Sequence, residues 1–310
     1  MQNNFYARGK LMITGEYFVL DGAKSLAIPT RLGQKLEVKK LSGASGNLFW
    51  VALNHRDQPW MQVVLNKKNL KPDPRQPESE RLAKILSVCR ELNPHFLTES
   101  EDVAVQTRLE FPANWGLGSS ATLIHCLAQW AKVNPFVLLE KTFGGSGYDV
   151  ACAGSNLPIL YYRKDNGEPN WTQVKFEPDF KEQLLLVHLG KKQLSSTSIE
   201  YYQSLSINKK DYIVWLNVLT DSMLLCSSLQ KFIQILEEHE NFIAEALKLQ
   251  KVKDVYFKNL PVSAKSLGAW GGDFALLAFE ENLSEIQKLL REKGFHTVLT
   301  WDEMFKKDVA

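Results

Sequence analysis

The stretch 111–121, FPANWGLGSSA, constrains this chain more than any other, because it sets two glycines and two serines between a strand pattern and a helix pattern. Upstream, Val103, Val105, Thr107, Leu109 and Phe111 alternate with Ala104, Gln106, Arg108 and Glu110, the period of a strand, which Pro112 ends. Downstream, Ala121, Leu123, Ile124, Leu127, Ala128 and Ala131 recur at helical spacing, with Ser119 or Ser120 where the helix opens. The glycines therefore precede a helix N-terminus, where the first N–H groups have no intrahelical partner and the helix dipole favours negative charge. Gly116 and Gly118 remove the Cβ that would keep an anion from the backbone. Two readings stand side by side: an anion cradle, and a glycine turn capped by a serine. Gly116, Gly118 and Ala121 also satisfy the dinucleotide pattern G-x-G-x-x-A, but that fold needs a second parallel strand after the helix. Asn134 and Pro135 instead read as the cap and first residue of another helix, and the Walker pattern is absent.

With 310 residues and 45% hydrophobic content, the chain can fill one large or two ordinary domains with a sizeable core. A net charge of +2, with Lys and Arg dispersed, argues against an extended nucleic-acid or membrane surface. Cys89, Cys126, Cys152 and Cys226 lie far apart and form no C-x-x-C pair, so buried free thiols are expected. The opening MQNNFYARGK has no apolar run of signal-peptide type and no stretch reaches membrane-span length, so a cytoplasmic protein is expected.

Along the chain, Leu11 and Ile13 alternate into a short strand bracketed by Lys10 and Glu16. Further strands are expected at 34–39, 47–53 and 60–65, and a helix through Leu82, Ile85, Leu86, Cys89 and Leu92. The segment 144–153, GGSGYDVACA, reads as a loop whose glycines free the backbone around Tyr148 and Asp149. A hairpin is expected over 157–176, and a buried strand over 183–189 that stops at Gly190 before KKQLSSTS. A domain boundary is expected close by, with domains 1–180 and 181–310; long helical patterning follows over 211–249. The chain closes as a strand (273–279), a helix (283–293, with Gly294 past its end) and a strand (296–301).

Three segments together carry a family resemblance. ARGKLMITGEYFVLDG resembles the first signature of the GHMP small-molecule kinases, PANWGLGSSA is similar to their phosphate loop, and KSLGAWGGDFALL resembles their third, glycine-rich motif. Within the family, GSGYDVA, LGKKQLSSTS and the pattern of Lys265, Gly268, Ala269, Gly271, Gly272 and Asp273 look most like the mevalonate and phosphomevalonate kinase branch. The resemblance implies an α+β, two-domain fold: an N-terminal, nucleotide-binding α/β domain of ribosomal-protein type and a C-terminal ferredoxin-like domain. It implies a kinase that uses ATP and Mg²⁺ to phosphorylate an alcohol or phosphate group of a small metabolite, working as a monomer or homodimer with no nucleic-acid or membrane partner.

The resemblance also distributes roles. The backbone of Gly116, Leu117, Gly118, Ser119, Ser120 and Ala121 would hold the ATP phosphates, with the Ser120 hydroxyl on Mg²⁺, a hard cation that takes oxygen ligands. Ser119 has the rival role of helix cap. Asp149 would accept the substrate hydroxyl proton and Lys10 would stabilise the charge that develops. Glu140 is the candidate second Mg²⁺ ligand, an exposed helix glutamate being its alternative. Glu16, Ser195, Ser196, Thr197, Trp270, Gly271, Gly272 and Asp273 fall on the substrate side. Arg8 and Trp270 depart from the family pattern, which has proline and glycine there. Two other readings of the residues remain: a diphosphomevalonate decarboxylase-like enzyme, and a nucleotide-binding regulator without turnover.

Overall fold

The computed structural model describes residues 2–72, 74–190, 195–268 and 273–306. In chain order the first elements are β1 (Gln2–Met12), β2 (Ser25–Lys40), β3 (Asn47–Leu53), β4 (Pro59–Asn66), α1 (Pro77–Leu92), β5 (Val103–Leu109) and α2 (Ser119–Ala131). They are followed by α3 (Pro135–Thr142), α4 (Tyr148–Ala153), β6 (Ile159–Arg163), β7 (Pro169–Gln173), β8 (Leu184–His188), α5 (Ser195–Ser204) and α6 (Lys209–Leu224). The chain ends with α7 (Leu229–Leu247), α8 (Val252–Tyr256), β9 (Ser263–Leu267), β10 (Phe274–Ala278), α9 (Leu283–Glu292), β11 (Val298–Thr300) and α10 (Trp301–Phe305).

Three expectations about the elements need correction. The short strand expected at Leu11 and Ile13 is the end of β1, an eleven-residue strand that contains Lys10 and stops at Met12. The segment after Gly147 is a helix, α4, rather than a loop, because Gly147 at φ 90° turns the chain into it. The last strand stops at Thr300, whose side chain and Glu303 form a reciprocal capping box that starts α10 at Trp301. The Asn134 cap is as expected: its side chain accepts from the amides of Phe136 and Val137, with Pro135 at the first helical position.

Contacts divide the chain into two compact units. Unit one gathers the residues up to Gly9, Leu32–Ala113 and Leu117–Gly154. Its strands run in the order β4-β3-β5-β2, with β3 parallel to β5 and the other pairs antiparallel. The alternation read in 103–109 holds: Val103, Val105, Thr107 and Leu109 are buried. Leu36, Trp50, Leu86, Val105, Ile124 and Leu127 belong to the core between this sheet and its helices. Cys89, Cys126 and Cys152 are buried free thiols as expected, whereas Cys226, in unit two, is half-buried.

Unit two gathers Lys10–Arg31, Asn114–Gly116 and Ser155–Ala310. In it, Ser25–Ala27 of β2 pairs antiparallel with β6, which forms a hairpin with β7. A separate antiparallel sheet has the order β11-β8-β10-β9. Numbered along the chain, these strands run fourth, first, third, second, with helices after the first and the third, which is the ferredoxin-like arrangement. Every residue of β8 and β10 is buried, the reason both read as continuous apolar runs. A second core joins Phe18 and Tyr202 to Leu216, Ile243 and Leu247 of α6 and α7. Among the described residues no helix is long and apolar enough to cross a membrane.

Candidate active site

In unit one the glycine loop becomes a helix terminus at Gly118. That residue is the N-cap of α2, at φ 84° and ψ 45°, and no side chain caps the helix. Ser119 is therefore the first helical residue and not the cap, which corrects the capping reading of that serine. As a glycine, the cap has no side chain to offer the first amides of α2. Thr122 anchors this turn: its buried hydroxyl lies 2.6 Å from Gln34 Oε1 on β2 and 2.9 Å from the Ser119 carbonyl oxygen. Leu117 is buried, so the loop is also pinned from its other side, while Ser120 is exposed. The result is a fixed, uncapped helix end suited to an anion.

Asp149 lies in the first turn of α4, half-buried, its Oδ1 accepting the Val150 amide at 2.9 Å. The same helix packs on α2 through Gly154, where a Cβ would lie 2.2 Å from His125 Cε1. Burial lowers the pKa of His125, an effect partly offset by its hydrogen bond with the Val150 backbone. Glu140 is exposed on α3.

In unit two the first half of the loop is held by side chains. Lys10 Nζ donates to the Gly116 carbonyl at 3.1 Å. Gly116 sits at φ 67°, and a Cβ there would lie 2.1 Å from the carboxylate of Asp273. Glycine is thus required at 116 twice over, by backbone conformation and by the aspartate packed on it. Asp273 is buried, at φ 54°, and its carbonyl accepts the Leu189 amide at 2.8 Å. The Trp115 ring packs edge-on against Phe274, with centroids 5.6 Å apart, and lies 6.3 Å from His188. Lys10, Gly116 and Asp273 are brought together.

Glu16 has a different setting. Its side chain is buried and forms an ion pair with Lys265, also buried, whose ammonium donates to the Ser266 carbonyl at 2.9 Å as well. His239 of α7 lies 3.6 Å from the other oxygen of Glu16 and accepts the Gly15 amide on Nε2 at 3.1 Å. A ring nitrogen that accepts carries no proton, so His239 is the neutral Nδ1–H tautomer. Burial first, then the Lys265 charge, holds its pKa well below the usual histidine range. Glu240 accepts the amides of Val252 at 2.8 Å and Ser266 at 3.0 Å. Burial pushes Glu240 up to about 7 despite the nearby ammonium, and burial likewise raises Glu16 against the pull of Lys265. The turn after β1 is therefore tied to α7 and β9 by a quartet of buried ionisable groups.

Ser195 and Ser196 open α5, and Thr197 on that helix is exposed. Trp270, Gly271 and Gly272 lie outside the described residues. Sequence reasoning missed His188, His239 and Glu240, and it read Lys265 only as part of a glycine-rich pattern. The available signal was a polar pair, His239-Glu240, on the apolar stripe of Phe232, Ile235, Leu236 and Ile243.

Among the described residues no group of three or more His, Cys, Asp or Glu side chains could hold a metal. Ser120 at the start of α2 and Glu140 on α3 are both exposed oxygen donors, the ligand type that Mg²⁺ takes. The uncapped, glycine-lined end of α2 suits the phosphates themselves.

No protein-family model matches the chain, and no curated protein does. Solved structures do. The Methanococcus jannaschii mevalonate kinase superposes with a TM-score of 0.71 at 16% identity, covering 96% of both chains. The Streptococcus pneumoniae phosphomevalonate kinase in complex with phosphomevalonate and AMPPNP gives 0.70 at 16%, covering 96% of this chain and 99% of that one. The Lactococcus lactis galactokinase complexed with galactose gives 0.70 at 13%, covering 96% and 92%. The fold of this chain is the two-domain fold of the GHMP kinases.

Proposed function

We propose that this chain is an ATP-dependent small-molecule kinase that phosphorylates an alcohol or phosphate group of a metabolite of the mevalonate or phosphomevalonate kind. The observation that carries the reading is the start of α2: a fixed helix end with a left-handed glycine as its cap and no capping side chain. Such an end has amide donors to spare for phosphate oxygens. The fold supports the reading, since three kinases share it at 13 to 16% identity, and one of them was solved with the ATP analogue AMPPNP.

Phosphoryl transfer asks mainly for positioning and charge stabilisation. The amides of Ser119, Ser120 and Ala121 would bind the phosphates, and the hydroxyl of Ser120 would ligate Mg²⁺, with Glu140 as a second ligand. The metal, when bound, neutralises phosphate charge. Asp149 would take the proton of the acceptor hydroxyl, and the Lys10 ammonium, now donating to the Gly116 carbonyl, would offset the charge that gathers on the reacting oxygens. The segment of Ser195, Ser196 and Thr197 and the third motif with Trp270, Gly271, Gly272 and Asp273 would face the acceptor. Glu16 enters on the substrate side through the turn it holds, since its own carboxylate is committed to Lys265.

The test is a panel of small alcohols and phosphomonoesters screened for ADP release with MgATP. One class of acceptor should release ADP and yield one phosphorylated product per ADP. Binding of MgATP with no acceptor-dependent release across hydroxy acids, their phosphates and sugars would leave the regulator reading in its place.

A further inference from the structure

Three of the segments singled out in the sequence meet at the end of β8 in unit two: Asn114–Gly116 of the glycine loop, Gly190 at the head of KKQLSSTS, and Asp273 with Phe274 of the third motif. One side chain touches all three. His188 Nδ1 lies 3.3 Å from the Gly190 amide, which can only donate, so Nδ1 is the acceptor. Neutral imidazole then carries its proton on Nε2, which lies 3.1 Å from the Asn114 carbonyl oxygen and must donate to it. The ring meets Phe274 in a T-shaped contact at 62°, with centroids 5.2 Å apart, and Trp115 packs edge-on against the same Phe274. The His188 backbone is fixed independently, its amide donating to the Thr297 carbonyl at 3.0 Å and its register pairing it with Phe274.

We infer that His188 is a positioning residue, which spends both ring nitrogens on holding the nucleotide loop at Asn114 and the acceptor-side segment at Gly190 in one fixed relation. The inference rests on the kinase reading for the meaning of the two segments, but the clamp itself rests on geometry. His188 bonds to residues 74 positions apart from it on one nitrogen and two on the other. The bonds are also separable by substitution: the amide nitrogen of glutamine can take the place of Nε2, and the amide oxygen of asparagine that of Nδ1.

The experiment compares His188→Gln, His188→Asn and His188→Phe with the unaltered chain, by MgATP titration and by hydrogen exchange at the Gly190 amide. A modest net hydrogen bond corresponds to about a three- to tenfold change in affinity. His188→Asn should weaken MgATP binding by that factor and keep Gly190 protected; His188→Gln should keep MgATP binding within about twofold and lose the protection. His188→Phe should lose both. Equal behaviour of the asparagine and glutamine variants in both measurements would overturn the clamp, as would unchanged Gly190 exchange in His188→Gln. If the unaltered chain binds no MgATP, the kinase reading fails, and the exchange of Gly190 still decides whether His188 holds that segment.

Discussion

Replacing Lys265 with methionine removes the ammonium from a pair in which both side chains are buried, 0% and 1% exposed, while keeping an unbranched apolar stem one atom shorter. The carboxylate of Glu16 is left beside a neutral His239 and the carboxyl group of Glu240, itself pushed up to about 7. Breaking a buried pair from one side costs about 3–5 kcal/mol, most of it the uncompensated charge. Glu16 escapes that cost by taking a proton, and burial already raises its pKa while Lys265 lowers it, so the variant raises it further. A carboxyl with a folded pKa above its unfolded value of about 4.3 binds protons better in the folded chain, so its stability contribution is greatest below that pH and is lost as the pH rises. The destabilisation should therefore be largest at pH 8 and shrink towards pH 5, with a slope of up to about 1.4 kcal/mol per pH unit. Urea unfolding of the variant, of Glu16→Gln and of the double variant, at both pH values, gives the cycle. The double variant should recover most of the loss. A pH-independent loss below about 1 kcal/mol, or a double variant no better than Lys265→Met, would refute a charged pair at this site.

Further outcomes follow from the loop. Gly118→Ala places a Cβ at φ 84°; it should cost about 1–2 kcal/mol in thermal unfolding and weaken MgATP binding, and an unchanged melting temperature would show that the cap conformation differs. Ser120→Ala should weaken the use of Mg²⁺ with ATP while Ser119→Ala leaves it within about threefold, because Ser119 does not cap α2; equal effects in a Mg²⁺ titration would remove Ser120 as a ligand. Glu240→Gln should flatten the pH dependence of stability: with a folded pKa of about 7, the wild-type chain takes up a proton on folding between about pH 4.3 and 7 and loses stability as the pH rises through that window. An identical pH profile in the variant would assign the titration to another group.

Much of the fold was legible because periodicity reports burial. Strand β5 alternates between buried and partly exposed positions, and the apolar runs of β8 and β10 are buried along their whole length. The phosphate loop was legible because glycine, serine and an apolar stripe at helical spacing have few joint uses. Strand β9 was not, since its centre is Lys265, and a lysine reads as exposed until its partner 249 residues away is known. Helix α4 was hidden by the glycines before it, which loosen a chain in the sequence and in the structure turn it into a helix. His188 looked like the end of an apolar strand because both of its bonds are to backbone atoms, which no side-chain pattern announces.

The central claim is that the uncapped end of α2 binds ATP for transfer to an acceptor with Asp149 as the base, and Asp149→Asn tests it most directly. The substitution keeps the shape of the side chain and its acceptor for the Val150 amide while removing the basic carboxylate. MgATP binding by titration should stay within about threefold of the unaltered chain, and acceptor-dependent ADP release should fall at least about a hundredfold. ADP release at a near-normal rate would contradict the account, because the step would then have another base or none.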